Sequence, residues 1–462
     1  MPPRLDNSLR AFASTYSRSF LPELVFLRNS FSRNSSLTCA LVFGLAIRLV
    51  LAPFLGHPYD LRIFMAVGWA VANGMTPYGQ YILQDIFTGI LHPHLYGLFY
   101  GIGYPPTWGL IAGGSYWLYD ITSPQNIEAY SLALKIPIII GDLVTAFVLY
   151  RILRTHTSEG TASKVLQFYL LCPFMIIVGA VWGMFDVLVF LFSIISTHLL
   201  YKRSNISALS LALASSLKPY AIILAPLYSI FIYRKTKSLG TGGKYLLLTL
   251  VALGVLTVLP MLVFGWSFSN LYYAMVSQFQ PTDFYYGEGV QYTYGAASPF
   301  NIYNVLKLLS AEIRPPGILN YVWIPACLAV YLYAYRRETE TSFKSLVFNS
   351  FLVSLVFFTT RFWVSEQNLL FLLSFFMLTV LLNGTRKPWA LIHGVWILLF
   401  AFVFIHVPAP SFLWMVEPWI FDAATAFCTG PYGYVRFILM TALTFSWLGL
   451  LWRSSIKEWI KW

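Results

Sequence analysis

Charge is what this chain lacks most. Only 10% of its 462 residues are Asp, Glu, Lys or Arg, whereas a soluble domain carries about 25% because its surface must face water. So little charge at this length excludes a water-soluble globular protein. Acids are the scarcer sign, with 18 Asp and Glu against 30 Lys and Arg and a net charge of +12. That excess does not make a nucleic-acid binder, because the cations sit in short connectors and both tails, with no basic-aromatic stripe. Cysteine is also scarce. Of the four, Cys39, Cys172 and Cys327 lie in apolar runs and Cys428 stands alone, which leaves no disulfide framework and no zinc-site spacing. A cleavable signal peptide is not expected, since Arg4, Arg10, Arg18, Arg28, Arg33, Asp6 and Glu23 make residues 1–36 too polar. Internal repeats, low-complexity runs and domain-splitting linkers are absent as well.

What remains is apolar: 58% of the residues are hydrophobic and the mean hydropathy is +0.67. A bilayer crossing needs about 20 apolar residues, fewer where a helix is broken. Candidate spans fall at 37–55, 131–151, 165–181, 186–201, 206–217 with 220–233, 245–264, 319–335, 345–361, 367–382, 389–406 and 433–452. The reading is an all-α polytopic membrane protein, a bundle of about 12 transmembrane helices with external loops. Residues 1–36 and 453–462 are read as cytoplasmic basic tails flanking one transmembrane domain, 37–452.

The cations orient this bundle. Arg151, Arg154 and Lys164 share a connector, as do Lys202 and Arg203; Arg234, Lys235, Lys237 and Lys244; Arg336, Arg337 and Lys344; and Arg386 and Lys387. Lys and Arg are retained on the cytoplasmic side. All these connectors share that side if 206–217 and 220–233 form a hairpin and 104–119 is re-entrant or interfacial. The other side then receives the long segments 56–130 and 265–318 and the breaks near 182–186, 362–366 and 407–432. Long loops gathered on one face commonly carry function.

Polar residues at these breaks suit two roles each. Asp60 precedes a stretch, 61–72, that reads as an interfacial amphipathic helix broken at Asn73-Gly74, and it suits a helix cap, a general base or both. Asp186, after Trp182-Gly183, again reads as a cap or as a site residue, and Glu366 as a helix-dipole partner or a site residue. Arg62, Lys218 and Arg361 suit a phosphate or a lipid headgroup. The loop acids and tyrosines Asp283, Tyr285, Tyr286, Glu288, Tyr292 and Tyr294 suit sugar contact or interfacial anchoring. His92-Pro93-His94 offers too few ligands for a metal site. Lys135 and Asp142 lie inside one span, seven residues apart, placed for an internal pair or a helix-helix contact.

The order of these features is familiar. His57-Pro58-Tyr59-Asp60, Gly74-Met75-Thr76-Pro77-Tyr78, Tyr104-Pro105-Pro106, Trp182-Gly183-Met184-Phe185-Asp186, Lys218-Pro219-Tyr220 and Ser365-Glu366-Gln367-Asn368 follow one another across residues 40–380. Together they resemble the GT-C class of membrane glycosyltransferases, and within it the mannosyltransferases of glycosylphosphatidylinositol (GPI) anchors and their prokaryotic relatives. The resemblance implies an inverting transfer of a hexose, mannose by preference, from a polyprenyl-phosphate sugar to a glycan or glycolipid acceptor outside the cytoplasm. Such a transfer needs a base for the acceptor hydroxyl and positive charge near the leaving phosphate; Asp60 is the candidate base, Arg62, Lys218 and Arg361 the candidates at the donor phosphate, and Asp186, Glu366, Gln367 and Trp182 acceptor or supporting candidates. The resemblance also implies the plasma membrane of a prokaryote or the endoplasmic reticulum membrane of a eukaryote. The family carries two acids one residue apart where this chain has Asp60-Leu61-Arg62, which removes one ligand from any divalent-metal role. A transporter or flippase of lipid-linked or polar substrates is the runner-up, though it should show paired repeats. A third, non-enzymatic reading is an assembly or scaffold subunit of a glycan pathway, which would not need the Asp60 loop.

The orientation is testable by cysteine-accessibility labelling. A cysteine introduced at position 288 should be labelled from outside intact cells, and cysteines at 235 and 337 should not. The reverse pattern would overturn the sidedness.

Overall fold

The computed structural model describes residues 35–82, 98–124, 126–277, 296–310, 312–336, 341–417, 419–429 and 432–461. The His92-Pro93-His94 motif and the loop residues between Asp283 and Tyr294 lie outside them.

The chain is an integral multi-pass membrane protein built almost wholly of helices. Among the described residues, seven helices have the length and composition to cross a membrane: Ser35–Phe54 (α1), Ile127–His156 (α4), Leu239–Val263 (α10), Gly317–Arg336 (whose α-helical part Trp323–Arg336 is α13), Phe343–Thr360 (α14), Pro388–His406 (α16) and Tyr432–Ile456, within Tyr432–Lys461 (α18). An eighth crossing is a broken one, Glu159–Leu171 (α5) and Pro173–Trp182 (α6), bent by 47°. The described spans therefore fall short of the expected dozen. The difference lies in Asp186–Leu199 (α7), Ser204–Leu217 (α8), Leu224–Thr236 (α9) and Leu369–Leu382 (α15), of 13 or 14 residues each. At 1.5 Å per residue such helices reach only about 21 Å, short of a hydrocarbon core of about 30 Å.

They are short because the sequence stops them at the site. Gly183, with φ of 88°, ends the π-helical turn Ile177–Trp182 in the left-handed region, and α7 begins at Asp186. Pro219 holds Lys218 extended (φ −139°, ψ 127°) and so ends α8. α14 ends at an extended Arg361, and a 3-10 turn at Glu366–Asn368 opens α15. α15 lies at the centre of the bundle, with all fourteen of its residues buried. α10 is largely uncovered: Leu247, Val251, Val255, Leu262 and Val263 are each more than half exposed, as suits a lipid-facing surface.

Asp60–Ala72 (α2) and Thr107–Thr122 (α3) pack against one another. The expectation of an amphipathic helix at the interface is corrected here, because Leu61 through Gly68, Ala70 and Val71 are all buried. Small residues allow the closeness. A Cβ on Gly68 would lie 2.3 Å from the Tyr130 hydroxyl and 2.7 Å from the Ala112 carbonyl, and one on Gly113 would meet Val71 at 2.6 Å. The segment 104–119 expected to be re-entrant or interfacial is the second arm of this hairpin. Gln80–Ile82 (β1) pairs antiparallel with Leu98–Tyr100 (β2) at its edge.

Lys135 and Asp142, both in α4, do not pair with each other. Asp142 receives Arg48 of α1, with Nε 2.5 Å from Oδ2. Arg48 Nη1 also donates to the carbonyls of Gly44 (2.9 Å) and Leu170 (2.6 Å), so one fully buried guanidinium ties α1, α4 and α5. Lys135 Nζ instead donates to the carbonyls of Ala52 (2.9 Å), Leu55 and Val181 (3.1 Å).

Breaking the Arg48–Asp142 pair on one side should be costly. Arg48→Met leaves a buried carboxylate uncompensated, at about 3–5 kcal/mol, whereas removing both charges is often near neutral. In detergent, Arg48→Met should therefore melt well below wild type, and Arg48→Met/Asp142→Leu should recover most of the loss. Equal melting of the single variant and wild type would refute this role for the pair.

Candidate functional site

Asp60 is the first residue of α2, yet it does not cap the helix. His57 does that work: its Nδ1 accepts the backbone N–H groups of Asp60 (3.0 Å) and Tyr59 (3.3 Å). The His57 ring lies flat on Trp182, 4.3 Å between centroids and 4° between planes. Trp182 Nε1 donates to Asp60 Oδ2 at 2.8 Å, and His57 Nδ1 lies 3.1 Å from the same oxygen. The carboxylate is thus held at the helix start by an indole while its side chain stays 23% exposed. Burial raises its pKa to about 6, against the lowering effects of Trp182 and Lys218. Burial and the neighbouring Arg62 push His57 down to about 3, so its ring stays neutral and its Nδ1 lone pair remains an acceptor.

The other acid is treated differently. Asp186 is fully buried and caps nothing. Its Oδ2 receives Lys218 Nζ at 2.6 Å and its Oδ1 receives the Tyr220 hydroxyl at 2.9 Å. Lys218 also reaches Asn368 Oδ1 at 3.4 Å and stands over the rings of Phe185 (5.0 Å) and Tyr104 (5.2 Å). Tyr104 lies within electrostatic reach of Asp60, Asp186 and Arg361, and together with burial the two acids drive its hydroxyl far above its ordinary range.

Arg361, at the end of α14, stands over Phe357 at 5.5 Å and acts electrostatically on Tyr104 and Tyr220. Arg62 is buried, 5.8 Å from the Trp414 ring. Burial lowers both to about 10, so both stay cationic at neutral pH. Glu366 is buried, its Oε1 against His406 Nδ1 at the end of α16. Gln367, beside it, is buried too. Phe412, in the turn Ala409–Leu413, packs edge-on to both His57 and Trp182.

The structure therefore gathers Asp60, Arg62, Trp182, Asp186, Lys218, Arg361, Glu366 and Gln367 at one end of the bundle. Sequence reasoning missed what supports them: His57 as the cap, Tyr220 on Asp186, and the C-terminal contributors His406, Phe412 and Trp414. The first two are adjacent to motif residues, a signal that was available. The C-terminal three belong to no motif. Among the described residues, no three His, Cys, Asp or Glu side chains are grouped to hold a metal ion. A guanidinium, Arg62, stands where the resembled family places a second carboxylate.

The arrangement offers a partly open carboxylate poised near neutrality, cations close to it, and aromatic faces for a sugar ring or a lipid. Residues 110–284 match the family described as GPI transamidase subunit PIG-U, a stretch that includes Trp182, Asp186 and Lys218 but not Asp60. The chain is 23% identical to GPI mannosyltransferase 1 of Saccharomyces cerevisiae over 275 residues, 57% of this chain. The matched stretch spans 66% of that protein's length, just under two thirds. The protein is thus a multi-pass membrane protein similar to components of GPI-anchor biosynthesis, with the resemblance to GT-C proteins in its motifs.

Proposed function

We propose that this protein transfers a hexose, mannose by its resemblance, from a polyprenyl-phosphate sugar to a hydroxyl of a lipid-linked or glycan acceptor on the non-cytoplasmic side. The observation that carries the reading is Asp60, a carboxylate relieved of capping by His57, aimed by Trp182, and raised to about 6 by burial. That value suits a general base working near neutral pH.

In this mechanism Asp60 takes the acceptor's hydroxyl proton as its oxygen attacks the anomeric carbon. The bond from that carbon to the phosphate oxygen breaks, and its electron pair leaves with polyprenyl phosphate. Attack opposite the leaving group inverts the anomeric configuration. Arg361 and Arg62 are the cations to meet the phosphate, because the Lys218 charge is already matched by Asp186 at 2.6 Å. Lys218 and Asp186 then hold the α7–α8 breaks in register. No cofactor is assigned, and a divalent-metal role stays open, with Arg62 in place of one of its two acids.

A second reading is a subunit that binds lipid-linked glycan without transferring sugar. The match to a transamidase-subunit family and the Asp60-Leu61-Arg62 departure favour it. Purified protein incubated with radiolabelled polyprenyl-phosphate-mannose and candidate acceptor lipids separates the two. Transfer supports the enzyme, and donor binding without transfer to any acceptor supports the subunit.

The base assignment has two measurable consequences. Asp60→Asn should fold and bind donor normally but turn over at least about 100-fold more slowly. A carboxylate with a raised pKa is the active base only above that pKa. Wild-type kcat/KM should accordingly fall about tenfold per unit of pH below about 6 and level off above it. Normal turnover in Asp60→Asn would eliminate Asp60 as the base.

The phosphate assignment is tested separately. Contact with a screened phosphate is worth on the order of 2–3 kcal/mol. Arg361→Gln or Arg62→Gln should then raise the donor KM by about 30- to 100-fold. If neither does so, the phosphate sits elsewhere.

A further inference from the structure

Arg436 enters neither the sequence motifs nor the mechanism above. It lies one turn into α18, is 9% exposed, and its Nε has no hydrogen-bond partner among the described residues. Its guanidinium stands 5.5 Å over the Phe437 ring. Among the described residues no carboxylate forms an ion pair with it, and Glu366 is against His406. Arg436 acts electrostatically on that same histidine, which also feels His57, so the arginine borders the site on its α16–α18 side. Buried Gln367 Oε1, beside Glu366, also lacks a partner.

A guanidinium keeps its charge on burial, and a buried charge without a counter-ion is costly. A cation kept there at that cost is explained if its anion arrives with a ligand. The setting says what kind of ligand: Val435 (53% exposed), Ile438 (50%) and Leu439 (45%), on α18 beside Arg436, are uncovered apolar residues of a membrane span. A molecule with a phosphate ester on an acyl or prenyl chain could lay its chain there and its phosphate on the arginine.

We infer that Arg436 is the anchor of a lipid-phosphate subsite at the α16–α18 edge of the bundle, separate from Arg361 and Arg62. The subsite stands whether or not the chain transfers sugar. Its phosphate is either that of a polyprenyl carrier or that of a phosphoinositide headgroup.

Binding to the full-length protein in detergent decides the matter, read from intrinsic tryptophan fluorescence and thermal melting. The probes are polyprenyl monophosphate, phosphatidylinositol and, as an uncharged control, polyprenol. Arg436→Met fills the apolar volume and removes the uncompensated charge. It should melt several degrees above wild type without lipid and bind at least about tenfold more weakly to a phosphate lipid. Polyprenol binding should not change, and Arg436→Lys should retain most of the phosphate-lipid affinity. Weakening confined to polyprenyl monophosphate assigns the subsite to the carrier, and weakening confined to phosphatidylinositol assigns it to the headgroup. Wild-type affinity of Arg436→Met for both phosphate lipids would overturn the proposal. So would a lower melting temperature with binding intact, because the arginine would then be structural.

Discussion

Much of the site depends on how one buried ammonium is satisfied. Lys135 is fully buried in α4 with no carboxylate on it; its Nζ donates to the carbonyls of Ala52, Leu55 and Val181. Those carbonyls belong to the end of α1 and the end of α6, where helices leave C=O groups unpaired and carry partial negative charge. In a membrane such orphans are expensive, since no water can take them. One cation therefore satisfies two helix ends at once and ties them together. The chain leaving α1 carries His57 and Asp60; the chain leaving α6 carries Trp182, Gly183 and Asp186. The 2.8 Å contact between Trp182 and Asp60 is made across that tie. Gly183 belongs to it as well, because a Cβ there would stand 3.1 Å from Lys135 Cε.

Fold class was legible in composition because the solvent decides it: a chain with 10% charge has nothing with which to cover a watery surface. The candidate site was legible for a related reason. Polar residues at breaks in apolar runs stand out, and Asp60, Asp186, Lys218, Arg361 and Glu366 all stood at such breaks. Partners were not legible. Which cation meets Asp142 depends on how α1 crosses α4, and the one that does, Arg48, lies 94 residues away. Among the described residues seven or eight helices, not twelve, have the length to cross, and there is a physical reason for the difference. Hydropathy registers that a segment is apolar, and α15 is intensely so, but it cannot tell a lipid-facing span from a short helix packed on all sides by protein. Nor could it show that α2, read as amphipathic, would be enclosed by the glycines and alanines of its own hairpin.

The resemblance and its departure meet at residue 62. Two acids one residue apart would repel each other unless a cation sat between them, and that is work a metal ion does well. Here the second position is a buried arginine stacked near Trp414. It supplies positive charge from the protein itself. Its effect on the surroundings is visible in His57, whose protonation it opposes. A neutral His57 can cap α2 through its lone pair, which leaves the Asp60 carboxylate for other work. The Asp-x-Arg pattern is therefore consistent with the neighbouring histidine in a way that a lost second acid alone would not be.

The two outer acids then divide along electrostatic lines. Asp186, the more deeply buried, has a cation at 2.6 Å and a hydroxyl at 2.9 Å, so both oxygens are occupied. Such a carboxylate is held in place by its two donors and ties Lys218 and Tyr220 to the start of α7. Among the described residues, the Asp60 carboxylate receives the Trp182 indole N–H, with a neutral imidazole alongside and a side chain still partly open. Nothing fixes its charge as firmly, and burial raises its pKa towards the pH at which it would have to work. Where two carboxylates share a site and their surroundings push them apart, the one left near neutrality is the one suited to exchange protons. Lys218 marks this division: its ammonium lies 2.6 Å from Asp186 with both groups buried, and drawing it away would leave each charge without its partner.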